Sequence, residues 1–236
     1  YDIPKEGEFY SPTGIVFDKN YYLYVSDTEL NVVQVFNPDI NPLYTMFEDF
    51  KIPQGFELDL EGNLMSVNSG TNKLYKFDIS KIKDKEVKKI DTILLPEDTF
   101  PIDITSDNNG NIYVSLGRPD IIHVYDNEGH LISEWFSENP LSPSAFRGLQ
   151  GVAKSSDGNI YTVNTHGGNI QKFDTKGKLI WNAPLNWPGL TFIDVDYQGK
   201  IYVTDCFHGV VLVFSDKTSK DLTPPKLIIE ELPSET

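Results

Sequence analysis

One 14-residue segment recurs five times along this 236-residue chain. Its copies begin at Leu23, Leu64, Ile112, Ile160 and Ile201, so successive starts are 41, 48, 48 and 41 residues apart. The first copy reads LYVSDTELNVVQVF and the last reads IYVTDCFHGVVLVF. Periodicity in this range marks an array of one supersecondary unit. Because the copies occupy nearly the whole chain, we predict a single repeat domain over residues 1–236.

Each copy predicts two strands around a turn. The flanking residues are β-branched or aromatic, and the middle residues, such as His166–Asn169, favour turns. A short strand precedes each copy, starting near Gly14, Gly55, Asp103, Gly151 or Phe192, and a fourth follows at Leu43–Phe47, Lys89–Leu94, Leu131–Phe136 and Leu179–Trp181. Four antiparallel strands per repeat predict an all-β propeller with blades at about 9–50, 51–97, 98–140, 147–186 and 188–232.

The composition excludes several classes of function. The chain has 35 acidic and 20 basic residues, a net charge of −15, which disfavours binding to nucleic acid or to an anionic membrane. Cys206 is the single cysteine, so no internal disulfide forms, and no apolar run of about 18 residues is present. The chain also contains no G-x-S-x-G, phosphate-cradling or dinucleotide-binding motif.

The repeats resemble the NHL family of β-propellers. Pro12–Ile15 and Pro53–Phe56 match the opening of its pattern, Gly110–Val114 and Gly158–Tyr161 match the middle, and Ile170–Asp174 matches the close. The family's aspartate after the second strand falls at Asp27, Asn68, Leu116, Asn164 and Asp205. The match covers residues 7 to 215. The resemblance implies a propeller in the superfamily that includes lactonases and lyases, whereas function must be argued from the site.

The two ends leave the blade count at five or six. The family usually has six blades, and five copies are present. Tyr1–Ile3 are expected to pair with Val210–Phe214 as a latch, unless a further blade lies upstream. Lys226–Leu232 are expected to form the fourth strand of blade five. The alternative is that residues 221–236 form a linker to a further module, opened by Asp221–Pro225.

Candidate ligand-binding residues lie where the second and third strands of each blade meet, because loops carry function on a rigid scaffold. The long Ser137–Gly148 connection is expected at the same end. His166 and His208 are 42 residues apart in equivalent turns, and a pair of imidazoles there suits a metal or acid–base chemistry. The alternative is that both are exposed turn residues. The candidates are Asp27, Glu29, Arg118, Arg147, His166, Phe207 and His208.

Candidate metal ligands lie in the innermost strands. Glu57 and Asp194 hold equivalent places, and Asp103 lies at one end of that strand in its own blade. Carboxylates that converge on a propeller channel suit Ca²⁺, and a histidine pair suits Zn²⁺. The alternative is a water-filled polar channel. The repeated Asp27, Asn68, Asn164 and Asp205 are expected to accept hydrogen bonds from turn N–H groups.

The leading functional hypothesis is therefore a non-catalytic binding or scaffold propeller that holds a protein, glycan or small molecule. The alternative is a metal-dependent lyase or lactonase, which rests on the histidine pair and the channel carboxylates. RNA binding, a third possibility within the NHL family, needs more basic residues than Arg118 and Arg147 supply. The start at Tyr1 and the acidic surface favour an extracellular or cell-surface location over a cytoplasmic one.

Overall fold

The computed structural model of the chain describes residues 5, 7–47, 50–137, 139, 141–215 and 226–228. These residues contain 20 β-strands and one short 3-10 helix, Ile82–Asp84. The strands pair as five separate four-stranded antiparallel sheets, and in each sheet the spatial order follows the order along the chain. The fold is therefore an all-β five-bladed propeller, and the repeat-based prediction of four strands per blade is confirmed.

Each sheet is one repeat. Blade one contains β1 (Pro12–Phe17), β2 (Leu23–Asp27), β3 (Val32–Phe36) and β4 (Pro42–Met46); blade two contains β5 (Pro53–Leu58), β6 (Leu64–Asn68), β7 (Lys73–Asp78) and β8 (Lys88–Leu94); blade three contains β9 (Pro101–Ser106), β10 (Ile112–Gly117), β11 (Asp120–Tyr125) and β12 (Leu131–Trp135); blade four contains β13 (Leu149–Lys154), β14 (Ile160–Asn164), β15 (Asn169–Phe173) and β16 (Leu179–Pro184); blade five contains β17 (Leu190–Val195), β18 (Lys200–Asp205), β19 (Val210–Ser215) and β20 (Lys226–Ile228).

The structure answers part of the question that the sequence left open about the number of blades and the terminal strands. The described residues form five blades, the lower of the two counts that the sequence left open, and not the six that are usual for the NHL family. β20 pairs with β19 through Val213, Phe214 and Ser215, which confirms a fourth strand at the predicted place. The predicted latch at Tyr1–Ile3 and the linker segment Asp221–Pro225 lie outside the described residues.

A β-bulge recurs where the innermost strand enters each sheet. The register shifts between Pro12 and Ile15 in blade one, and equivalent shifts occur in blades two, four and five. At this bulge, Gly14 directly precedes Ile15 in blade one, and Phe192 directly precedes Ile193 in blade five. A bulge bends a strand and re-aims its end, so the innermost strands bend at the same place in these repeats.

The chain divides into two compact units, and each has its own core. The first comprises residues 1–119 and 124–132, and the second comprises residues 120–123 and 133–236. In the first unit, Tyr24 and Val33 of blade one pack with Phe56 and Tyr75 of blade two. In the second unit, Val163 and Ile170 of blade four pack with Ile193 and Val203 of blade five.

Glycine allows neighbouring blades within a unit to approach closely. A Cβ atom on Gly14 would lie 2.2 Å from the carbonyl oxygen of Gln54, and one on Gly151 would lie 2.8 Å from the backbone nitrogen of Ile193. Ser26 strengthens the first of these contacts, because its hydroxyl donates to Gln54 O at 2.9 Å. The blade-to-blade interface is therefore both apolar and hydrogen-bonded.

Candidate functional site

The turn between β2 and β3 shows the structural role of the repeated acidic residue. The carboxylate of Asp27 is buried and accepts hydrogen bonds from the backbone N–H groups of Glu29 and Leu30 in the turn. It also accepts from Tyr10 N at 2.7 Å and from Ser11 N, in the segment that leads into β1. Asp27 therefore ties the turn to its lead-in segment, which confirms the expected role in the turn.

In blade four the equivalent Asn164 bonds to its lead-in segment, but among the described residues no turn N–H group donates to its side chain, so the expected role in the turn is not met there. Asn164 accepts from Arg147 N at 3.3 Å and donates to the side chain of Gln171 at 3.0 Å. Gln171 in turn donates to the carbonyl oxygen of Ser144 at 2.7 Å. Gln34 likewise binds the lead-in segment of blade one: it donates to Glu8 O and accepts from Gly7 N, both at 2.7 Å.

Blade five departs from this pattern at Asp205. One carboxylate oxygen still accepts from the turn N–H groups of Phe207, at 2.9 Å, and His208, at 3.1 Å. The other accepts from two side chains instead of the lead-in backbone: the indole N–H of Trp187 and Nδ1 of His208, the latter at 2.7 Å. The residue that anchors a loop in blades one and four therefore orients an indole and an imidazole in blade five.

The hydrogen bonds determine the protonation of this group. Burial would raise the pKa of Asp205, but hydrogen bonds from His208 and Trp187 outweigh burial and hold that pKa below its usual range. The carboxylate is therefore ionised at neutral pH and can only accept. An ionised carboxylate only accepts, so Nδ1 of His208 is the donor in the 2.7 Å contact with Asp205, and the indole nitrogen of Trp187 lies 3.2 Å from the same Nδ1. Nε2 of His208 makes no hydrogen bond to any described residue.

The aromatic residues around Asp205 form a patch in which Phe207 and His208 are exposed and Trp187 is half-buried. The rings of Trp187 and His208 meet edge to face, with centroids 5.3 Å apart. The Phe207 side chain lies over Gly189, where a Cβ atom would be 2.8 Å from its ring, yet 68% of Phe207 remains exposed. The His208 side chain is 55% exposed. We call Trp187, Phe207 and His208 the blade-five rim patch.

His166 lies in the neighbouring turn of the same unit, but its surroundings differ. Its ring packs over Gly148, where a Cβ atom would approach Nδ1 to 2.4 Å, and its backbone N–H donates to the carbonyl of Arg147 at 3.1 Å. The loop at Trp187 lies against Gly168, on the other side of this turn. The structure therefore places His166 against the Arg147–Gly148 backbone and His208 against Trp187.

Glu29 and Arg118 lie in the first unit. Both are exposed, Glu29 in the turn after Asp27 and Arg118 between β10 and β11. Their role as ligand-binding residues stays a prediction.

The predicted channel carboxylates already accept hydrogen bonds from protein groups, in the case of Glu57 from the neighbouring blade. Glu57 accepts from the hydroxyl of Thr105 at 3.0 Å and from the backbone N–H of Leu58 at 2.9 Å. Asp103 and Asp194 each accept from the backbone N–H of the next residue. Each of these carboxylates has hydrogen-bond donors of its own, and we derive no metal chemistry from them. A Ca²⁺ or Zn²⁺ ion stays a prediction.

A different trio of ligand atoms meets in the turn between β11 and β12. Among the described residues, Asp126, Glu128 and His130 are the one group of three whose ligand atoms lie within 4.8 Å of one another. Asp126 stabilises this turn, because its carboxylate accepts from the backbone N–H groups of residues 128 and 130. Asp174 does the same in blade four, where it accepts from the N–H groups of Lys176 and Lys178. The three side chains therefore belong to a turn of the usual kind for this repeat, and we assign no metal site to them.

The sequence did not single out Trp187, and it assigned Asp205 only to the turn. Trp187 lies in the connection between β16 and β17, which has no fixed place in the repeat. A signal was nevertheless present: among the five copies, only the last places a histidine three residues after the repeated acid or amide. That spacing lets the imidazole return to its carboxylate.

No protein-family model matches the chain, and no curated protein matches it either. Solved structures do match. A catalytically inactive histidine-to-alanine form of virginiamycin B lyase from Staphylococcus aureus, with quinupristin, has a TM-score of 0.71 at 14% identity, over 99% of this chain and 74% of that chain. The likeness is one of fold.

Two further structures show how widely this fold is shared. A gluconolactonase from Xanthomonas campestris has a TM-score of 0.66 at 15% identity, over 88% of this chain and 73% of that chain. A chain of the nidogen/laminin complex also has a TM-score of 0.66, at 16% identity, over 86% of this chain and 75% of that chain. Enzymes and a protein-binding assembly thus share the scaffold, so the fold does not decide between them.

The described residues contain no helix long and apolar enough to cross a membrane.

Proposed function

We propose that the protein is a binding propeller whose ligand contacts the blade-five rim patch. The observation that carries this proposal is the changed role of Asp205. In blade one the equivalent carboxylate anchors backbone, whereas in blade five it fixes Trp187 and His208 beside an exposed phenylalanine. The carboxylate that anchors backbone in blade one therefore orients two side chains of the rim patch in blade five.

The patch has the chemistry of a recognition surface. Exposed aromatic rings supply large contact areas and dominate the energetics of many interfaces. Trp187 and His208 are held in place before any ligand arrives, which lowers the conformational entropy lost on binding. Nε2 of His208 adds a hydrogen-bonding atom at the edge of the apolar surface. A protein, glycan or small molecule with an apolar face and an adjacent donor fits this combination.

The test is a binding screen with matched variants. Labelled protein is applied to arrays of glycans and of peptides, and binding is compared for the wild type, Phe207→Ala and Tyr197→Ala. Tyr197 is an even more exposed aromatic residue of the same blade, in the turn between β17 and β18 at the opposite end. The proposal predicts a signal that Phe207→Ala abolishes and Tyr197→Ala retains. Equal loss in both variants, or in neither, contradicts it.

A second candidate, an acid–base lyase or lactonase, is favoured by one specific observation. A buried, ionised carboxylate holds Nδ1 of His208 and leaves Nε2 available, which is the arrangement of an oriented general base. In such a reaction Nε2 would take a proton from the substrate, and Asp205 would stabilise the imidazolium that forms. The fold likeness to a lyase with an inactivating histidine substitution agrees with this candidate.

Turnover separates the two candidates. The protein is incubated with quinupristin and, separately, with a gluconolactone, with and without added Mg²⁺, Ca²⁺ or Zn²⁺, and the products are identified by mass spectrometry. Ring opening that His208→Ala abolishes and His130→Ala retains favours the enzyme. Array binding without turnover of either compound favours the binding propeller.

A further inference from the structure

The connection between β7 and β8 departs from the repeat. In blades one, three and four the third and fourth strands are joined by short connections, residues 37–41, 126–130 and 174–178. Each of these is closed by a hydrogen bond from its first N–H group to its last carbonyl. In blade two the connection is longer, from residue 79 to residue 87, and it contains the 3-10 helix Ile82–Asp84. Blade two therefore carries a local feature that these other blades lack.

The longer connection is fixed to the core of the first unit. Ile79 and Ile82 are buried and belong to the cluster shared by blades one and two. The backbone N–H of Ile82 donates to the carbonyl of Ile79 at 3.0 Å, and that of Lys85 donates to the carbonyl of Ile82 at 2.9 Å. The charged side chains of this connection therefore extend from a backbone whose position is fixed by packing and hydrogen bonds.

A cavity of about 360 Å³ lies between this connection and the outer strand of blade one. Tyr44 of β4 and Val87 line it, and both pack against the same core cluster. The lining residues fall between positions 44 and 88, all within the first compact unit, so neither chain end takes part in forming the cavity. Its volume is within the range of small-molecule sites, about 300–1,000 Å³.

The cavity collects positive charge in an acidic chain. Lys81, Lys85 and Lys88 line it, although the net charge of the chain is −15. Lys81 pairs with Glu86 at 3.2 Å. Among the described residues, no ion pair includes Lys85 or Lys88. Two ammonium groups without a carboxylate partner suit an anionic group with several acceptor oxygens.

The surroundings of Asp78 agree with this assignment. Its carboxylate also lines the cavity and accepts from the backbone N–H of Ser80 at 2.9 Å. Hydrogen bonds from Ser80, followed by the charges of Lys88 and Lys81, lower the pKa of Asp78. The lysines therefore lie close enough to the cavity to stabilise negative charge in it.

We propose that this cavity binds a small phosphate or sulfate ester. The ammonium groups of Lys85 and Lys88 hold the anionic group of the ester. The organic part lies against Tyr44 and Val87, where an aromatic body suits the tyrosine ring. The proposal does not depend on the blade-five rim patch, because no residue of that patch lines this cavity.

The test is a titration of the isotope-labelled protein followed by nuclear magnetic resonance, at about 0.15 M salt to limit long-range repulsion by the acidic chain. The probes are phenyl phosphate, phenyl sulfate, inorganic phosphate and phenol. At least one ester is expected to shift the amide signals of residues 80–88. It should bind about 10-fold more tightly than inorganic phosphate, through the added apolar contact. Comparison of the two esters shows which one the cavity prefers, and phenol should not bind.

Matched variants locate the binding. Lys85→Gln and Lys88→Gln are each expected to weaken binding of the ester about 10-fold, because each removes a charge-assisted hydrogen bond. Lys83→Gln is the control, since it removes the same charge from the same connection at an exposed lysine that does not line the cavity. The affinity of this control should equal that of the wild type. All three lysines are exposed, so each variant is expected to fold, and circular dichroism checks this.

Three results would overturn the proposal. The first is that neither ester binds at millimolar concentration. The second is an equal loss of affinity in Lys83→Gln, which would indicate general attraction to the lysines and no defined site. The third is a set of shifts confined to residues 206–209, which would place the ester at the blade-five rim patch.

Discussion

Asp205 holds the imidazole of His208 through Nδ1 at 2.7 Å, in the turn where the equivalent Asp27 of blade one binds only backbone. The same residue type thus has two roles in one repeat array. The difference arises from what surrounds it: blade one brings the Tyr10–Ser11 backbone to the carboxylate, and blade five brings the Trp187 side chain.

Replacing Asp205 is expected to separate its two roles. Asp205→Asn keeps an oxygen acceptor for the turn N–H groups, but its amide cannot accept from both Trp187 and His208. Asp205→Ala removes both sets of bonds and is expected to cost about 2 kcal/mol of unfolding free energy, because buried donors lose their partner. Urea unfolding followed by tryptophan fluorescence measures both variants. An unchanged midpoint for Asp205→Ala would contradict these contacts.

The close approach between blades predicts a strong effect at Gly14. Gly14→Ala places a Cβ atom 2.2 Å from the Gln54 carbonyl, so the blades must separate, at a cost of about 3 kcal/mol. Gly62→Ala is the matched control, since nothing lies within 4 Å of its Cβ position and only its positive φ of 86° opposes the change, by about 1 kcal/mol. Equal losses of unfolding free energy would show that close approach is not what Gly14 provides.

Asp107 predicts a defined pH dependence. Burial raises its pKa, but hydrogen bonds from Asn111, Asn109 and Tyr113 outweigh burial and lower the pKa below its ordinary value. A lowered folded-state pKa stabilises the protein above the unfolded pKa of about 3.9, and this contribution disappears as the pH falls through the folded pKa. Asp107→Asn should therefore be less stable than the wild type at pH 7, with the difference shrinking towards pH 3. Urea midpoints across this range would show it; a constant difference would contradict the assignment.

Gln34 and Gln171 are expected to control two separate segments. Gln34→Ala should accelerate amide exchange in residues 7–11, and Gln171→Ala should do so in residues 144–148, because each glutamine bonds the backbone of its own lead-in segment. Each variant is the control for the other in hydrogen–deuterium exchange. Faster exchange in both segments from either substitution would indicate general destabilisation instead.

The sequence predicted the scaffold well because strand alternation and turn chemistry are local properties. The segment at Leu23 became β2 and β3, and the fourth strand of blade four was found, although it extends three residues beyond the predicted Trp181. The blade count was harder, because the number of blades depends on packing and not on any one repeat.

The candidate site was only partly predictable for a related reason. Phe207 and His208 were visible as departures from the repeat. Trp187 was not, because it reaches Asp205 from a connection of variable length, 18 residues away in sequence. Asp205 itself was concealed by its likeness to Asp27. A repeat reveals which residues are unusual, but it does not reveal which partners a common residue acquires.

The most direct test of the central claim is the location of the bound ligand. Hydrogen–deuterium exchange is measured with and without the array compound that binds best, at a concentration that saturates the protein. Binding at the blade-five rim patch predicts slower exchange in residues 186–189 and 206–209, with residues 197–199 at the opposite end of the blade unchanged. Protection confined to the turns of the other blades, with none at residues 186–189 or 206–209, would contradict the claim.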